Sequence, residues 1–160
     1  MSKIGFIGLG IMGRPMAGHL VDAGYALCVL DRGTVPPELI EKGTIEAVSE
    51  AMVFASKAGA DPERVRQALL GGFANSRILE IQGERMVKRP FEPGFRISLH
   101  QKDLNLALEG ARSLRVSLPC TALCQQLLTV AAARGDGDAD HSAVVKVLEL
   151  LADHELGASA

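Results

Sequence analysis

The sequence predicts an α/β fragment at the N-terminus, built as strand, helix, strand, joined to an all-α C-terminal domain, so that the chain is mainly helical overall. Two short apolar runs flank a glycine-rich turn and a helical segment near the start of the chain. After Thr44 such runs disappear, and segments with helical periodicity follow one another. We therefore expect a truncated α/β unit over residues 1–43 and a helical domain over residues 44–160.

The N-terminal unit contains two apolar runs, Lys3 to Gly8 and Tyr25 to Leu30. Nearly continuous apolar runs are typical of parallel strands whose sheet is covered on both faces. The segment between them has Pro15 in its first helical turn and Gly24 at its end, which favours a helix. After the second strand, the residues PPELIEKG predict a short helix that is closed by Gly43.

The turn after the first strand has the spacing G-x-G-x-x-G at Gly8, Gly10 and Gly13. In a dinucleotide site the first glycine permits the tight turn, the second lets the pyrophosphate approach, and the third lets helix and strand pack closely. The N–H groups at the start of the following helix point at the phosphates. Asp31 ends the second strand at about the expected distance of 20 residues. The pattern therefore predicts the opening of a Rossmann fold rather than a glycine turn that only packs closely.

The charged pair Asp31-Arg32 bears on the choice of cofactor. Asp31 would accept hydrogen bonds from the adenosine ribose and repel a 2′-phosphate, which favours NAD. Arg32 could grip a 2′-phosphate or stack on adenine, so NADP stays open. The predicted cofactor-binding residues of this unit are Gly8, Leu9, Gly10, Ile11, Met12, Gly13, Asp31 and Arg32.

The composition is that of an ordinary soluble protein with one core, or one core and a fragment. The 160 residues are 48% hydrophobic and 22% charged, and 17 basic residues are scattered among 19 acidic ones. A nucleic-acid partner is not expected, because its footprint needs basic residues gathered on one face. No apolar stretch reaches the roughly 18 residues of a membrane helix, and no signal-peptide pattern opens the chain. We expect a cytoplasmic protein with no membrane partner.

The three cysteines predict neither a disulfide nor a metal site. Cys120 and Cys124 are one helical turn apart, where a mutual disulfide would be strained, and no histidine nearby completes a metal set. All three are interpreted as reduced. Cys124 is in step with apolar residues on one helix face, which favours a role as a small buried side chain over a redox role.

The helical part is divided by recognisable start and stop signals. Ile45 to Ala58 predicts a mostly buried helix whose narrow polar strip is Glu46, Glu50 and Lys57. Further helices are expected from Asp61-Pro62 to Leu70, from Asn75 or Ser76 to about Met86, from Ser98 to about Leu114, from Pro119 to about Arg134, and after Asp140. Ser98 and Gln101 have the spacing of a capping box. The acidic glycine loop before Asp140 is interpreted as a linker.

The chain resembles the 3-hydroxyacid dehydrogenase family, in the branch that reduces tartronate semialdehyde. The matching stretches are IGFIGLGIMGRPMAGHL, then AVSEAMVFASKAGADPERVRQALLGGFANSRILEIQGERM, PGFRISLHQKDLNLALE and DHSAVVKVLELLA. The resemblance implies a small 3-hydroxyacid or semialdehyde substrate. It also implies that hydride from NAD(P)H reduces an aldehyde to a hydroxyl group, giving D-glycerate.

Compared with the family it resembles, the chain lacks a segment between Gly43 and Thr44, which are adjacent in this sequence. Family members carry the remaining strands, a serine-glycine-glycine segment and a catalytic lysine in G-x-x-x-K-x-x-N there. That lysine protonates the developing alkoxide. No lysine here fits the full pattern; Lys102 and Asn105 reproduce only its K-x-x-N half. We therefore assign no catalytic residue and expect impaired catalysis, with an inactive dinucleotide-binding or dimerising module and a purely helical interaction protein as alternatives.

Lys102 is interpreted separately as a cofactor-binding residue. It lies near the start of a predicted helix, where the helix dipole disfavours a cation and a bound anion would offset the conflict. The resemblance places this lysine beside the cofactor. A solvated surface lysine is the alternative, and Asp103 could itself compensate the charge. His100 lacks the third partner of a catalytic triad and is expected at the surface or in an interface.

The truncated α/β unit predicts an oligomer. Two parallel strands and one helix cannot bury their apolar faces alone, since stable sheets usually need three or more strands. The exposed surface must then be covered by the helices after Thr44 or by a second chain. We expect a homodimer or a higher homo-oligomer.

Overall fold

The computed structural model describes the backbone of residues 3–7, 26–30 and 37–158, and the side chains of residues 44–158. The chain divides into two compact units, Met1–Val35 and Pro36–Ala160. Helices dominate the described residues, as the sequence predicts. No helix among the residues searched is long and apolar enough to cross a membrane.

The N-terminal unit contains two parallel strands, β1 (Lys3–Ile7) and β2 (Ala26–Leu30). Their register pairs Lys3 with Ala26 and Ile7 with Leu30. Both strands lie within the two apolar runs of the sequence. The helix expected between them falls outside the described residues, so the assignment of this unit as part of a Rossmann fold stays a prediction.

The second unit begins with one long helix, α1 (Pro37–Lys57), of 21 residues. The prediction of a short helix that ends at Gly43 and a second that starts at Ile45 is therefore wrong. An interior glycine costs a helix only about 1 kcal/mol relative to alanine. Ile45 and Met52, which are fully buried further along α1, anchor the helix in the core. All of α1 therefore lies in the second compact unit, Pro36–Ala160.

Two of the next helices start at the caps that the sequence predicts. In α2 (Pro62–Leu70), the Asp61 side chain accepts a hydrogen bond from the Arg64 N–H at 3.1 Å. In α3 (Arg77–Lys88), the Ser76 hydroxyl accepts one from the Leu79 N–H at 3.0 Å. Each cap satisfies an N–H group that has no partner within its helix.

The next helix, α4 (Ile97–Leu114), begins differently from the prediction. Arg96 occupies the N-cap position without a side-chain hydrogen bond, so the capping box of Ser98 and Gln101 is wrong. The first N–H groups are satisfied by a neighbouring loop instead, since Ile97 and Ser98 donate to the carbonyls of Ala139 and Gly137 at 3.0 and 2.9 Å.

The C-terminal region contains α5 (Pro119–Ala131), a π-helical turn (Ala132–Asp136), a 3₁₀ turn (His141–Val144) and α6 (Val145–Ala152). The expected cap at Asp140 is confirmed, because its side chain accepts from the Ser142 N–H at 3.1 Å. Helices α1, α3, α4, α5 and α6 enclose the core, whose fully buried members include Met52, Met86, Leu104, Leu128 and Val144.

The polar strip predicted for α1 is wrong at one position. Glu50 and Lys57 are exposed, but Glu46 is only 5% exposed. Its position on the helix places it near α5, where Cys124 is its neighbour. Buried carboxyl groups are rare unless they are paired, which makes Glu46 an unusual core residue.

Candidate functional site

The predicted cofactor residues of the N-terminal unit, Gly8, Leu9, Gly10, Ile11, Met12, Gly13, Asp31 and Arg32, lie outside the described residues, and their roles stay predictions. The strands that precede them are described. β1 and β2 end at the paired residues Ile7 and Leu30, which directly precede Gly8 and Asp31 in the sequence. Ile7 and Leu30 therefore lie at the same edge of the two-stranded sheet, at the carboxyl ends where parallel sheets bind ligands.

Lys102 lies in the second turn of α4, because that helix begins at Ile97. The helix dipole acts mainly within the first turn, so it opposes this cation less than the sequence suggested. The Lys102 Nζ atom is 3.4 Å from Asp103 Oδ1, and its side chain is 47% exposed. Asp103 thus compensates part of the charge, while the exposed ammonium group can still reach an anion.

Asp140 does more than cap a helix, because it holds three segments together. Its side chain is 1% exposed, and Oδ2 accepts hydrogen bonds from the N–H groups of Gly94 and Phe95 at 2.9 and 3.1 Å. Oδ1 accepts one from the Ser142 hydroxyl at 2.7 Å, and Arg85 forms an ion pair with Oδ2 at 3.0 Å. Burial opposes ionisation, but these hydrogen bonds outweigh it and hold the pKa of Asp140 below its usual value.

Next to Asp140 lies an aromatic cluster of the buried His100 and the half-buried Phe95 and His141. The His100 and His141 ring centroids are 5.3 Å apart, and those of Phe95 and His141 are 5.5 Å apart. The expectation that His100 lies at the surface is wrong, since it is fully buried. It shares the inner face of α4 with Ile97 and Leu104, at helical spacing, and therefore points into the core.

A cavity of about 350 Å³ opens beside this cluster. Its lining includes Ile45, Arg77, Gln82, Arg85, Phe95 and His141. The side-chain oxygen Oε1 of Gln82 is buried without a hydrogen-bond partner in the described structure. The cavity can hold a small polar molecule, but Lys102 is not in its lining. Sequence reasoning identified Asp140 only as a cap and missed the cavity, because its walls come from distant segments that carry no common motif.

Cys124 lies on the buried side of α5, beside Glu46. Burial, together with the Glu46 carboxyl, raises the pKa of the Cys124 thiol to about 12, so it is not a nucleophile near neutral pH. Burial also raises the pKa of Glu46 to about 7. Cys120 and Cys124 both carry free thiols, and residues 44–158 contain no cluster of metal-ligating side chains. The interpretation of Cys124 as a small buried side chain is confirmed.

Known proteins resemble this chain over most of its length. Residues 37–148 match the family described as "NAD-binding of NADP-dependent 3-hydroxyisobutyrate dehydrogenase". The 2-hydroxy-3-oxopropionate reductase of Escherichia coli is 63% identical over 122 residues, which are 76% of this chain and 42% of that protein. The 2-(hydroxymethyl)glutarate dehydrogenase of Eubacterium barkeri is 31% identical over 88% of this chain and 46% of its own length.

Solved structures show the same likeness. The crystal structure of a 3-hydroxyisobutyrate dehydrogenase from Salmonella typhimurium aligns with a TM-score of 0.69 and 25% identity, covering 88% of this chain and 52% of that one. A Mycobacterium tuberculosis 3-hydroxyisobutyrate dehydrogenase aligns with a TM-score of 0.68 at 20% identity, which shows the fold alone.

The chain spans only about half, or less, of the length of these relatives. The family predicted from the sequence is confirmed, and the predicted cofactor class, NAD or NADP, is the one that this family domain binds. The family match covers more than half of the sequence and includes α1 to α5 in full. The chain belongs to the 3-hydroxyisobutyrate dehydrogenase family of NAD(P)-binding 3-hydroxyacid dehydrogenases.

Proposed function

We propose that this chain is an NAD(P)-binding form of a 2-hydroxy-3-oxopropionate reductase that binds the cofactor but does not transfer hydride at an appreciable rate. The observation that carries the proposal is the 63% identity to such a reductase over 122 residues. The substrate class is then a small semialdehyde or 3-hydroxyacid, with tartronate semialdehyde reduced to D-glycerate in full-length relatives.

The proposal keeps the cofactor-binding residues that were predicted from the sequence. The glycine turn at Gly8, Gly10 and Gly13 accommodates the pyrophosphate, and Asp31 accepts from the ribose hydroxyls. Lys102 supports the anionic or hydroxylated part of the dinucleotide with its half-exposed ammonium group. When bound, the nicotinamide supplies the hydride.

Impaired turnover follows from the missing general acid. Reduction of an aldehyde places negative charge on the carbonyl oxygen, and a positioned acid must deliver a proton there. Lys102 does not fit this task, because it lacks the preceding glycine of the family motif and is ion-paired with Asp103. The segment that positions the substrate against the nicotinamide is also missing between Gly43 and Thr44, so proximity is lost as well.

Two assays on the full chain test the proposal. Titration calorimetry with NADH and NADPH measures binding, and absorbance of NADH in the presence of tartronate semialdehyde measures turnover. We expect saturable binding without oxidation above the rate of the uncatalysed mixture. Oxidation well above that rate would refute the impairment, and absence of binding would favour a purely helical interaction protein.

The role of Lys102 needs a matched pair of variants. Lys102→Ala should weaken NADH binding about fivefold to tenfold, the loss of one charge-assisted contact of roughly 1–1.4 kcal/mol. Lys88→Ala is the control, since Lys88 is also exposed and also paired with an acid on its own helix, Glu84. Equal affinities of the two variants would show that Lys102 is a solvated surface lysine.

The second candidate function is an inactive dimerising module. It is favoured by the large apolar side chains that the helical unit exposes, among them Phe54 at 78% and Leu151 at 71%. Exposed apolar groups gathered in one patch commonly mark a protein interface. The predicted homodimer or higher homo-oligomer belongs to this candidate, and it is compatible with cofactor binding.

A further inference from the structure

The cavity beside Asp140 contains polar groups that the proposed function does not use. We call it the α3 cavity, because one of its walls consists of side chains at helical spacing on one side of α3: Ile78, Ile81, Gln82 and Arg85. Its volume of about 350 Å³ lies at the lower end of the range for small-molecule sites, about 300–1,000 Å³. The α3 cavity is therefore large enough for a ligand of a few carbon atoms.

One wall of the α3 cavity carries an unsatisfied hydrogen-bond acceptor. The Oε1 atom of Gln82 is buried and has no hydrogen-bond partner among the residues that the structure describes. A buried amide oxygen without a partner is destabilising, so native proteins normally supply a donor from the protein, from water or from a ligand. Because Gln82 lines the cavity, a ligand there can supply that donor through an O–H or N–H group.

A guanidinium group with unused donors lies one helical turn further along α3. Arg85 is 30% exposed, and its Nη1 atom donates to the Glu92 carbonyl at 2.9 Å and pairs with Asp140 at 3.0 Å. Within the described part of the chain, its Nε and Nη2 atoms have no hydrogen-bond partner. The absence of a side chain at Gly94 leaves space beside Nη2, since a Cβ atom there would lie 3.2 Å from it. The Nε–Nη2 edge can therefore bind a carboxylate through two parallel hydrogen bonds.

The charges that line the α3 cavity favour a singly charged anion. Arg77 and Arg85 are positive and Asp140 is negative, so the formal net charge of the lining is +1 with histidine counted as neutral. The Asp140 oxygens already accept several hydrogen bonds, and they are not available to a ligand donor. A doubly charged phosphate would meet both this carboxylate and the Gln82 oxygen. A carboxylate that also carries a donor group suits the lining better.

We propose that the α3 cavity binds a small hydroxycarboxylate, whose carboxylate pairs with Arg85 and whose hydroxyl group donates to Gln82. The two residues are three positions apart on α3, so their Cβ atoms are about 5–6 Å apart. A hydroxyl group on the second or third carbon atom can span that separation. Ile81 and Phe95 provide apolar lining for the carbon chain. The site contains neither Lys102 nor the glycine turn, and it does not depend on the function proposed above.

Three probes of similar size separate the two contacts. Lactate carries both groups, propionate lacks the hydroxyl group, and lactamide lacks the charge. Titration calorimetry of the full chain without cofactor measures their dissociation constants. We expect saturable binding of lactate and about tenfold weaker binding of propionate, because propionate leaves the Gln82 oxygen unpaired. Lactamide should show no measurable binding, because a neutral amide cannot form the ion pair with Arg85.

The variant Gln82→Leu tests the contact with the hydroxyl group. It removes the buried oxygen with little change in side-chain size, so lactate should bind about tenfold more weakly while propionate binds as before. The preference for lactate should therefore disappear, which a purely structural role of Gln82 would not predict. Gln67→Leu is the matched control, because Gln67 is exposed on α2 and outside the lining of the cavity. It should keep the preference.

The variant Arg85→Lys tests the contact with the carboxylate. Lysine keeps a positive charge beside Asp140 but lacks the planar pair of donors, so lactate and propionate should both bind about tenfold more weakly. Arg64→Lys, at an exposed position on α2, is the control and should change neither affinity. Circular dichroism verifies the fold of each variant. If Arg85→Lys does not fold, Arg77→Gln removes the other cation of the lining at an exposed position, and it should weaken both probes about threefold.

Three outcomes would overturn the proposal. The first is the absence of saturable lactate binding at the highest usable concentration. The second is a preference for lactate over propionate that is missing in the wild type or unchanged in Gln82→Leu. The third is inorganic phosphate that binds more tightly than lactate and competes with it, which would indicate a general anion site. NADH titration of the same variants tests the proposed function separately, because none of the substitutions changes a residue assigned to the cofactor.

Discussion

The buried carboxyl group of Glu46 should make the stability of this protein fall as the pH rises. Its side chain is 5% exposed, and it lies against the Cys124 thiol of α5. Burial disfavours the ionised form and raises the pKa from 4.5 to about 7, against smaller opposing effects of the backbone and the Cys124 thiol. The folded protein therefore keeps Glu46 protonated at pH values where the unfolded chain has lost that proton.

The sign and size of the effect follow from proton linkage. Between pH 4.5 and about 7 the folded state binds one more proton at this site than the unfolded state, so the free energy of unfolding decreases with pH. The difference in pKa corresponds to about 3 kcal/mol at about 1.4 kcal/mol per pH unit. The loss is complete above the folded pKa. Asp140 acts in the opposite direction, since its lowered pKa gives stability that is lost as the pH falls.

A comparison with Glu46→Gln isolates this site from all others. The amide is nearly isosteric and does not titrate, so the wild type minus variant difference in unfolding free energy should fall by about 3 kcal/mol from about pH 4 to about pH 8. Urea denaturation followed by circular dichroism measures it. Glu109→Gln, at an exposed position on α4, is the control, and its unfolding free energy should depend on pH in the same way as that of the wild type. The same pH dependence for Glu46→Gln would refute the argument that the Glu46 carboxyl is protonated in the folded protein.

Three further perturbations have definite expected results. Asp140→Asn should lower the free energy of unfolding, measured by urea denaturation, by about 3–5 kcal/mol, because it leaves Arg85 without its buried acidic partner. A loss below about 1 kcal/mol would contradict the role of Asp140 in holding the three segments together. Cys120 is exposed and should react with a thiol reagent in the native protein, whereas the buried Cys124 should react only on unfolding. Mass spectrometry measures the two reaction rates, and equal rates would refute the burial of Cys124. Arg89 donates to both carboxyl oxygens of Glu149 at 2.7 and 3.1 Å, so Arg89→Ala should lower the melting temperature by several degrees. Arg77→Ala should lower it less, because the ion pair of Arg77 with Glu80 is exposed.

Local signals were sufficient where structure depends on adjacent residues. Asp61, Ser76 and Asp140 each cap a helix as predicted, because a cap needs only a side-chain oxygen and the N–H groups two or three residues later. Strands β1 and β2 lie within the two apolar runs, because buried parallel strands consist of nearly uninterrupted apolar residues.

The wrong predictions all depend on contacts between distant segments. Ser98 had the spacing of a cap, but the loop carbonyls of Gly137 and Ala139 satisfy the start of α4 instead. Glu46 was assigned to the polar strip of its helix, and His100 to the surface or an interface because it lacks the third partner of a catalytic triad. The packing of α1 against α5 and of α4 into the core buries both. Gly43 ends no helix, because the core contacts of α1 outweigh the cost of one interior glycine. The cavity beside Asp140 was not predicted either, because its walls come from segments that are distant in the sequence.

The contacts of Asp140 also have a consequence for motion. The segment Glu92–Phe95 has no helix or strand of its own, and such segments usually open on fast timescales. Here the amides of Gly94 and Phe95 donate to a carboxylate that is almost completely buried, and the Glu92 carbonyl accepts from Arg85 at 2.9 Å. Their hydrogen exchange should require the core itself to open, so a stretch that looks like a surface loop should exchange as slowly as the centre of α4.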